Sequence, residues 1–117
     1  MTAIRLDAST LNLHFPGWEA LMVGRSWYTV DRDAITRAEL LPGWSSEVLG
    51  TRSGLVVSGR IKVGTFRHPS GVRRLVAMRR GLPLLRLTLA GEEFDELLVS
   101  DAGAGGIVDA LGKGVRR

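Results

Sequence analysis

Cysteine is absent from the 117 residues, which excludes a disulfide framework, a thiolate metal site and a cysteine nucleophile together. Histidine occurs only at 14 and 68, a spacing that pairs no ligands, so a metal site would rest on carboxylates alone and none is expected. No apolar run approaches the roughly 18 residues of a membrane span. The opening MTAIRLDASTLNLHF has neither the basic start nor the unbroken apolar core of a signal peptide, so a cytoplasmic location is expected. Catalytic signatures are missing as well. There is no G-x-S-x-G elbow. GIVDALGKG places five residues between Gly106 and Gly112 where a phosphate loop needs four, and puts Gly114 where Ser or Thr should hold magnesium. GAGG lacks the following strand that would complete a βαβ unit. The chain is therefore read as a non-enzyme with no cofactor.

Acidic residues are missing from one long segment. Between Val48 and Gly91 there is no Asp or Glu, while Arg52, Arg60, Lys62, Arg67, Arg73, Arg74, Arg79, Arg80 and Arg86 all fall there. The acids return at once in GEEFDE, as Glu92, Glu93, Asp95 and Glu96. The formal net charge is +4, so the fold should set an acidic edge near a basic one and neutralise part of the cluster from within.

What is present reads as a mainly β protein. At 44% apolar and 24% charged the composition is globular, and 117 residues suit a single domain, 1–117. AIRL and TLNLHF flank Asp7-Ala8-Ser9 as a hairpin, with Leu11, Leu13 and Phe15 inward against Thr10, Asn12 and His14. After the Pro16-Gly17 break, Trp18, Leu21 and Met22 recur at the spacing of one helical face, predicting a short helix. WYTV and AITRAEL read as strands, and LPGWSSEVLGTRSG as a loop whose Trp44 folds back on the core. In IKVGTFRHPSGVRRLVAMRRG two strands enclose a turn in which Pro69 suits the second position and Gly71 the fourth. Phe66 breaks the parity of Ile61 and Val63, making Gly64 a bulge candidate. LLRLTL and FDELLVS follow, where the sheet should stop. Asp101 then caps a terminal helix packed by Ile107, Val108 and Leu111.

Seven or more antiparallel strands with one closing helix describe a partly open antiparallel barrel plugged at an end, with a short helix near the N-terminus. The stretches STLNLHFPGWEALMVGRSWYTVDRDAITRAEL, LGTRSGLVVSGRIKVGTF and LPLLRLTLAGEEFDELLVSDAGAGGIVDAL resemble actinobacterial proteins described as bacterial PH-domain-like. That resemblance covers nearly the whole chain and implies a PH-like barrel. It implies no particular activity.

The candidate ligand-binding residues are Arg67, Arg73, Arg74, Arg79 and Arg80, because guanidinium forks match phosphate and carboxylate geometry. Strand alternation sends Arg73 and Arg74 to opposite faces, and Arg79 and Arg80 lie about six residues, roughly 20 Å, from the turn, so two half-patches are expected in place of one pocket. Between Arg60 and Arg86 only Phe66 is aromatic, which argues against nucleic acid. The functional expectation is a non-catalytic binding or assembly module whose partner is an unknown protein or a second copy. The alternative is peripheral attachment to an anionic membrane or other polyanion through the 60–80 hairpin. Against both stands the bland reading, in which the arginines only keep one sheet face wet.

Overall fold

The computed structural model describes residues 2–43, 51–57, 61–112 and 114–116, with the backbone alone for 51–57, 61 and 114–116. Three strands, β1 (Ala3–Leu6), β2 (Thr10–His14) and β3 (Trp27–Asp31), form a small antiparallel sheet. Helix α1 (Trp18–Val23) lies between β2 and β3, and one 3-10 turn at Arg32–Ala34 leads into β4 (Ile35–Leu41). Next come β5 (Thr51–Val57), β6 (Ile61–Arg67), β7 (Arg73–Arg79), β8 (Leu84–Leu89), β9 (Glu96–Ser100), α2 (Ala104–Leu111) and β10 (Gly114–Arg116). Strands β4 to β10 make a second, seven-stranded sheet in the order β10-β4-β8-β9-β7-β6-β5.

The protein is thus mainly β with a C-terminal helix and one other, but its sheets do not close into a barrel. The large sheet has open ends at β10 and β5, and the first three strands split off as a separate layer. Nor is it wholly antiparallel. β9 inserts between β8 and β7 and runs parallel to β7, and β10 runs parallel to β4, so the sheet does not stop at β9 as expected. The central pair explains itself in sequence. Leu75, Val76, Ala77 and Met78 of β7 and Leu97, Leu98 and Val99 of β9 are continuous apolar runs, the pattern of strands buried on both faces.

Two apolar layers result. On one side of the large sheet, Val63, Leu75, Ala77, Leu85, Leu87, Leu97 and Val99 meet Leu11, Leu13, Phe15, Tyr28 and Val30 of the small sheet, with Val23 of α1 and Ala104, Val108 and Leu111 of α2. On the other side, Phe66, Val76, Met78, Leu84 and Leu98 form a second cluster. Phe66 therefore does not break the strand's parity; it faces the second layer. The bulge lies on the neighbouring strand, where Gly54 and Leu55 of β5 together oppose Gly64. Thr51–Gly54, expected in a loop, belongs to β5, and Trp44 lies outside the described residues.

The turn and the closing helix follow their local chemistry. Gly71 N–H donates to the His68 carbonyl at 2.8 Å, with Pro69 second in the turn and Gly71 fourth at φ +97°. Ile107, Val108 and Leu111 pack on the core as expected, but Asp101 is not the cap: the N-cap of α2 is Gly103, without a side-chain cap, and the Asp101 carboxylate accepts from Gly103 N–H at 2.8 Å in the turn ahead of the helix. Helix α1 forms where expected but with its faces exchanged. Glu19 and Val23 are buried, while Trp18 and Leu21 are exposed and Met22 is half-buried.

Candidate binding surface

The β6–β7 register fixes where the five candidate arginines stand. Arg67 pairs with Arg73 beside the turn, and Ile61 pairs with Arg79 at the opposite end. The arginines thus divide into an Arg67/Arg73 group and an Arg79/Arg80 group, with Arg74 between them in sequence but on the other face from Arg73.

The GEEFDE acids reach the first group. Arg73 N–H donates to Asp95 Oδ2 at 2.8 Å, its Nε lies 3.5 Å from the same oxygen, and a terminal nitrogen donates to the Glu92 carbonyl at 3.1 Å. Arg74 is buried. Its Nε donates to Glu96 Oε1 at 2.6 Å, and Arg86 donates to Glu96 Oε2 from Nε and Nη2 at 3.2 and 2.9 Å. Glu96 is the register partner of Arg74 across the parallel pair and of Thr88 across the antiparallel one, so both guanidinium groups converge on it from flanking strands. Beyond Arg86, its cross-strand partner Glu39 pairs with Arg37 at 3.2 Å, extending the charged row over the second apolar layer.

Burial alone would raise the Glu96 carboxyl. The hydrogen bonds from Arg74 and then Arg86, with their charges, outweigh it and hold the group below its ordinary value. The Asp95 carboxyl is lowered mainly by the Arg73 backbone N–H, and that of Glu93 by the Arg25 guanidinium. Arg25 binds Glu93 through two bonds of 2.8 and 2.6 Å and lies over the Tyr28 and Phe94 rings at 5.4 and 5.2 Å. The acid run is therefore a set of built partners for particular arginines.

The second group has different surroundings. Arg80 is exposed beyond the end of β7, and Arg79 N–H donates to Ser100 Oγ at 2.8 Å. Arg79 also lines a cleft with Thr2, Glu19, Val63, Ala77, Met78 and Ser100, which has room for about one water molecule. Across this cleft, Thr2 N–H and Oγ1 donate to Glu19 Oε1 at 3.2 and 2.8 Å. That contact satisfies a buried carboxylate and turns the first turn of α1 inward at Glu19, leaving Trp18 and Leu21 outside.

Among the described residues the exposed large apolar side chains are Trp18 at 42%, Leu21 at 76% and Trp27 at 61%, all within ten positions. Trp27 stacks on His14 across the β2–β3 ladder, with ring centroids 4.4 Å apart. The arginine-based expectation missed this corner, although two of the three tryptophans in adjacent elements were a usable signal. The remaining histidine is engaged locally. His68 Nδ1 accepts from Ser70 N–H at 3.1 Å and meets Ser70 Oγ at 2.8 Å inside one exposed turn, which braces the turn and builds no cleft around the serine.

No helix among the described residues is long and apolar enough to cross a membrane. Compared with protein-family models, with curated proteins and with solved structures, the chain matches none of them.

Proposed function

We infer that this protein is a non-catalytic binding module whose contact surface is the corner formed by α1 and the start of β3. The observation that carries this reading is that the three large apolar side chains exposed among the described residues, Trp18, Leu21 and Trp27, all fall within ten positions of the sequence, on α1 and at the start of β3. Exposed large apolar groups brought together mark interaction sites, and tryptophan is over-represented among the residues that dominate binding energy. A PH-like identity for the scaffold and a cytoplasmic location belong to the same proposal. Attachment to a polyanion through the 60–80 hairpin is the second reading, and it loses support at Arg73 and Arg74, which face Asp95 and Glu96.

Site-specific photocrosslinking in cells tests the reading, with the crosslinker at position 21 or 27 and a control at the exposed Asp33. Discrete adducts at 21 and 27 that the control does not give are expected. The same faint background at all three positions would overturn it. The molar mass in solution, compared for the wild type and Leu21→Ser, tells whether the partner is a second copy.

A further inference from the structure

We propose that a second copy of this chain docks on the free edge of β3, strand to antiparallel strand, and joins the two small sheets into one. The proposal rests on the binding-module reading and names its partner. β3 closes the order β1-β2-β3, and among the described residues no strand pairs with its other side. The ladder says which groups stand there. Phe15 N–H donates to the Ser26 carbonyl and Arg32 N–H to the Ser9 carbonyl, and hydrogen-bonded rungs alternate, so those to β2 fall at Ser26, Tyr28, Val30 and Arg32. Trp27, Thr29 and Asp31 therefore turn their N–H and C=O groups away from β2, and all three residues are exposed. Nothing blunts this edge, since its register runs without a bulge and the strand has neither proline nor lysine.

The order of side chains along the edge selects a second copy over another extended segment. A two-fold axis through Thr29 sets this residue against the second copy's Thr29, and sets Trp27 against the second copy's Asp31 on both sides of the axis. Each outward rung then closes two backbone hydrogen bonds. The indole can only donate and the carboxylate only accept. Asp31 is placed for this, because its carboxylate does not cap the 3-10 turn that follows it. Facing threonines suit an antiparallel pair. On the inner side Tyr28 falls beside the second copy's Val30, apolar against apolar, both already buried. The axis at Thr29 is the one that uses all three outward residues of both strands, whereas an axis at Asp31 would set two carboxylates face to face.

Sedimentation equilibrium of the full chain should give a molar mass that rises with concentration toward twice that of one chain. The absence of cysteine leaves a clean background for a test of register. In a hydrogen-bonded rung the Cα atoms lie about 5.5 Å apart, inside the roughly 4.4–6.8 Å span of a disulfide. Thr29→Cys should therefore oxidise to a covalent dimer roughly tenfold faster than Asp33→Cys, which is exposed beyond the strand. Thr29→Lys and Thr29→Glu, each facing its own charge across the axis, should weaken self-association by up to about fivefold, and an equal mixture of the two should recover it as a mixed dimer. The mass of a single chain at every concentration would overturn the proposal, as would equal disulfide yields at 29 and 33 or a mixture no tighter than its parts. If the chain stays single while crosslinks from positions 21 and 27 reach another protein, self-pairing falls and the binding-module reading stands; if both fail, both fall.

Discussion

Replacing Glu96 with alanine should cost the fold about 3 kcal/mol. The carboxylate holds Arg74 through one oxygen at 2.6 Å and Arg86 through the other at 2.9 and 3.2 Å, and the three side chains keep only 14%, 11% and 23% exposure. At an effective dielectric near 20, a unit pair at about 4 Å is worth roughly 4 kcal/mol, and two such pairs share one acid here. Removing the acid alone leaves two guanidinium groups close together without it, the situation in which breaking a buried pair costs about 3–5 kcal/mol. We take the lower end because Arg86 keeps contact with water. Equilibrium urea denaturation measures the loss directly, and a thermal melt should fall by roughly 10–15 °C for a domain of this size. Glu93→Ala supplies the contrast. Its partner Arg25 is bound just as closely, but the two side chains are 53% and 30% exposed, so its removal should cost no more than about 1 kcal/mol. Equal losses in the two variants would refute the argument that burial decides the value of these pairs.

The carboxyls of Glu93, Asp95 and Glu96 all titrate below their ordinary values in the folded chain. Their stabilisation is therefore complete above the unfolded carboxylate range of about 4 and is lost as pH falls through the lower folded values. Urea midpoints should be level from neutral pH to about 5 and then fall, with a shallower fall in Glu96→Gln; an acid limb of wild-type steepness in that variant would remove Glu96 from the account. Leu111→Ala, which opens a cavity under α2, should destabilise by about 2–5 kcal/mol in the same assay, and no loss would mean that α2 is not held by that contact. Gly71→Ala places a Cβ at φ +97° in the hairpin turn, where space is open but the backbone is strained. It should cost about 1–2 kcal/mol, and a neutral result would show that the turn can relax.

Much of the fold was legible from period and punctuation. The β2 alternation, the Pro69 to Gly71 turn and the stripe on α2 each depend on near neighbours in sequence, so local rules reach them. Sheet order does not. Whether β9 lies at an edge or between β7 and β8 is decided by long-range burial, and the signal for it was the pair of unbroken apolar runs in those strands. Once β9 is inserted there, Glu96 lands between Arg74 and Arg86. The same step thus neutralises part of the basic cluster. The acidic run was legible as a counterweight to the arginines, but its individual partners were not, because Arg25, the neighbours Arg73 and Arg74, and Arg86 reach it from three different parts of the chain.

Helix α1 is where local and global preferences conflict. Taken alone, Trp18, Leu21 and Met22 form the apolar face that should bury and Glu19 the charge that should stay wet, yet the fold buries Glu19 and exposes Trp18 and Leu21. Covering the apolar face would favour the opposite rotation, and exposing two large side chains forgoes about 1.5–3 kcal/mol for each that might have been fully buried. The observed rotation gains the Thr2 hydrogen bonds to Glu19 and the packing of Val23, terms of about 1 kcal/mol per hydrogen bond and a few for the valine. These terms are of similar size, so internal stability gives no decisive reason for the exposed arrangement. Natural chains break a local rule chiefly at functional sites. An outward Trp18 and Leu21 is economical if something outside the chain covers them, which is why this corner, and not the more conspicuous run of arginines, carries the functional assignment.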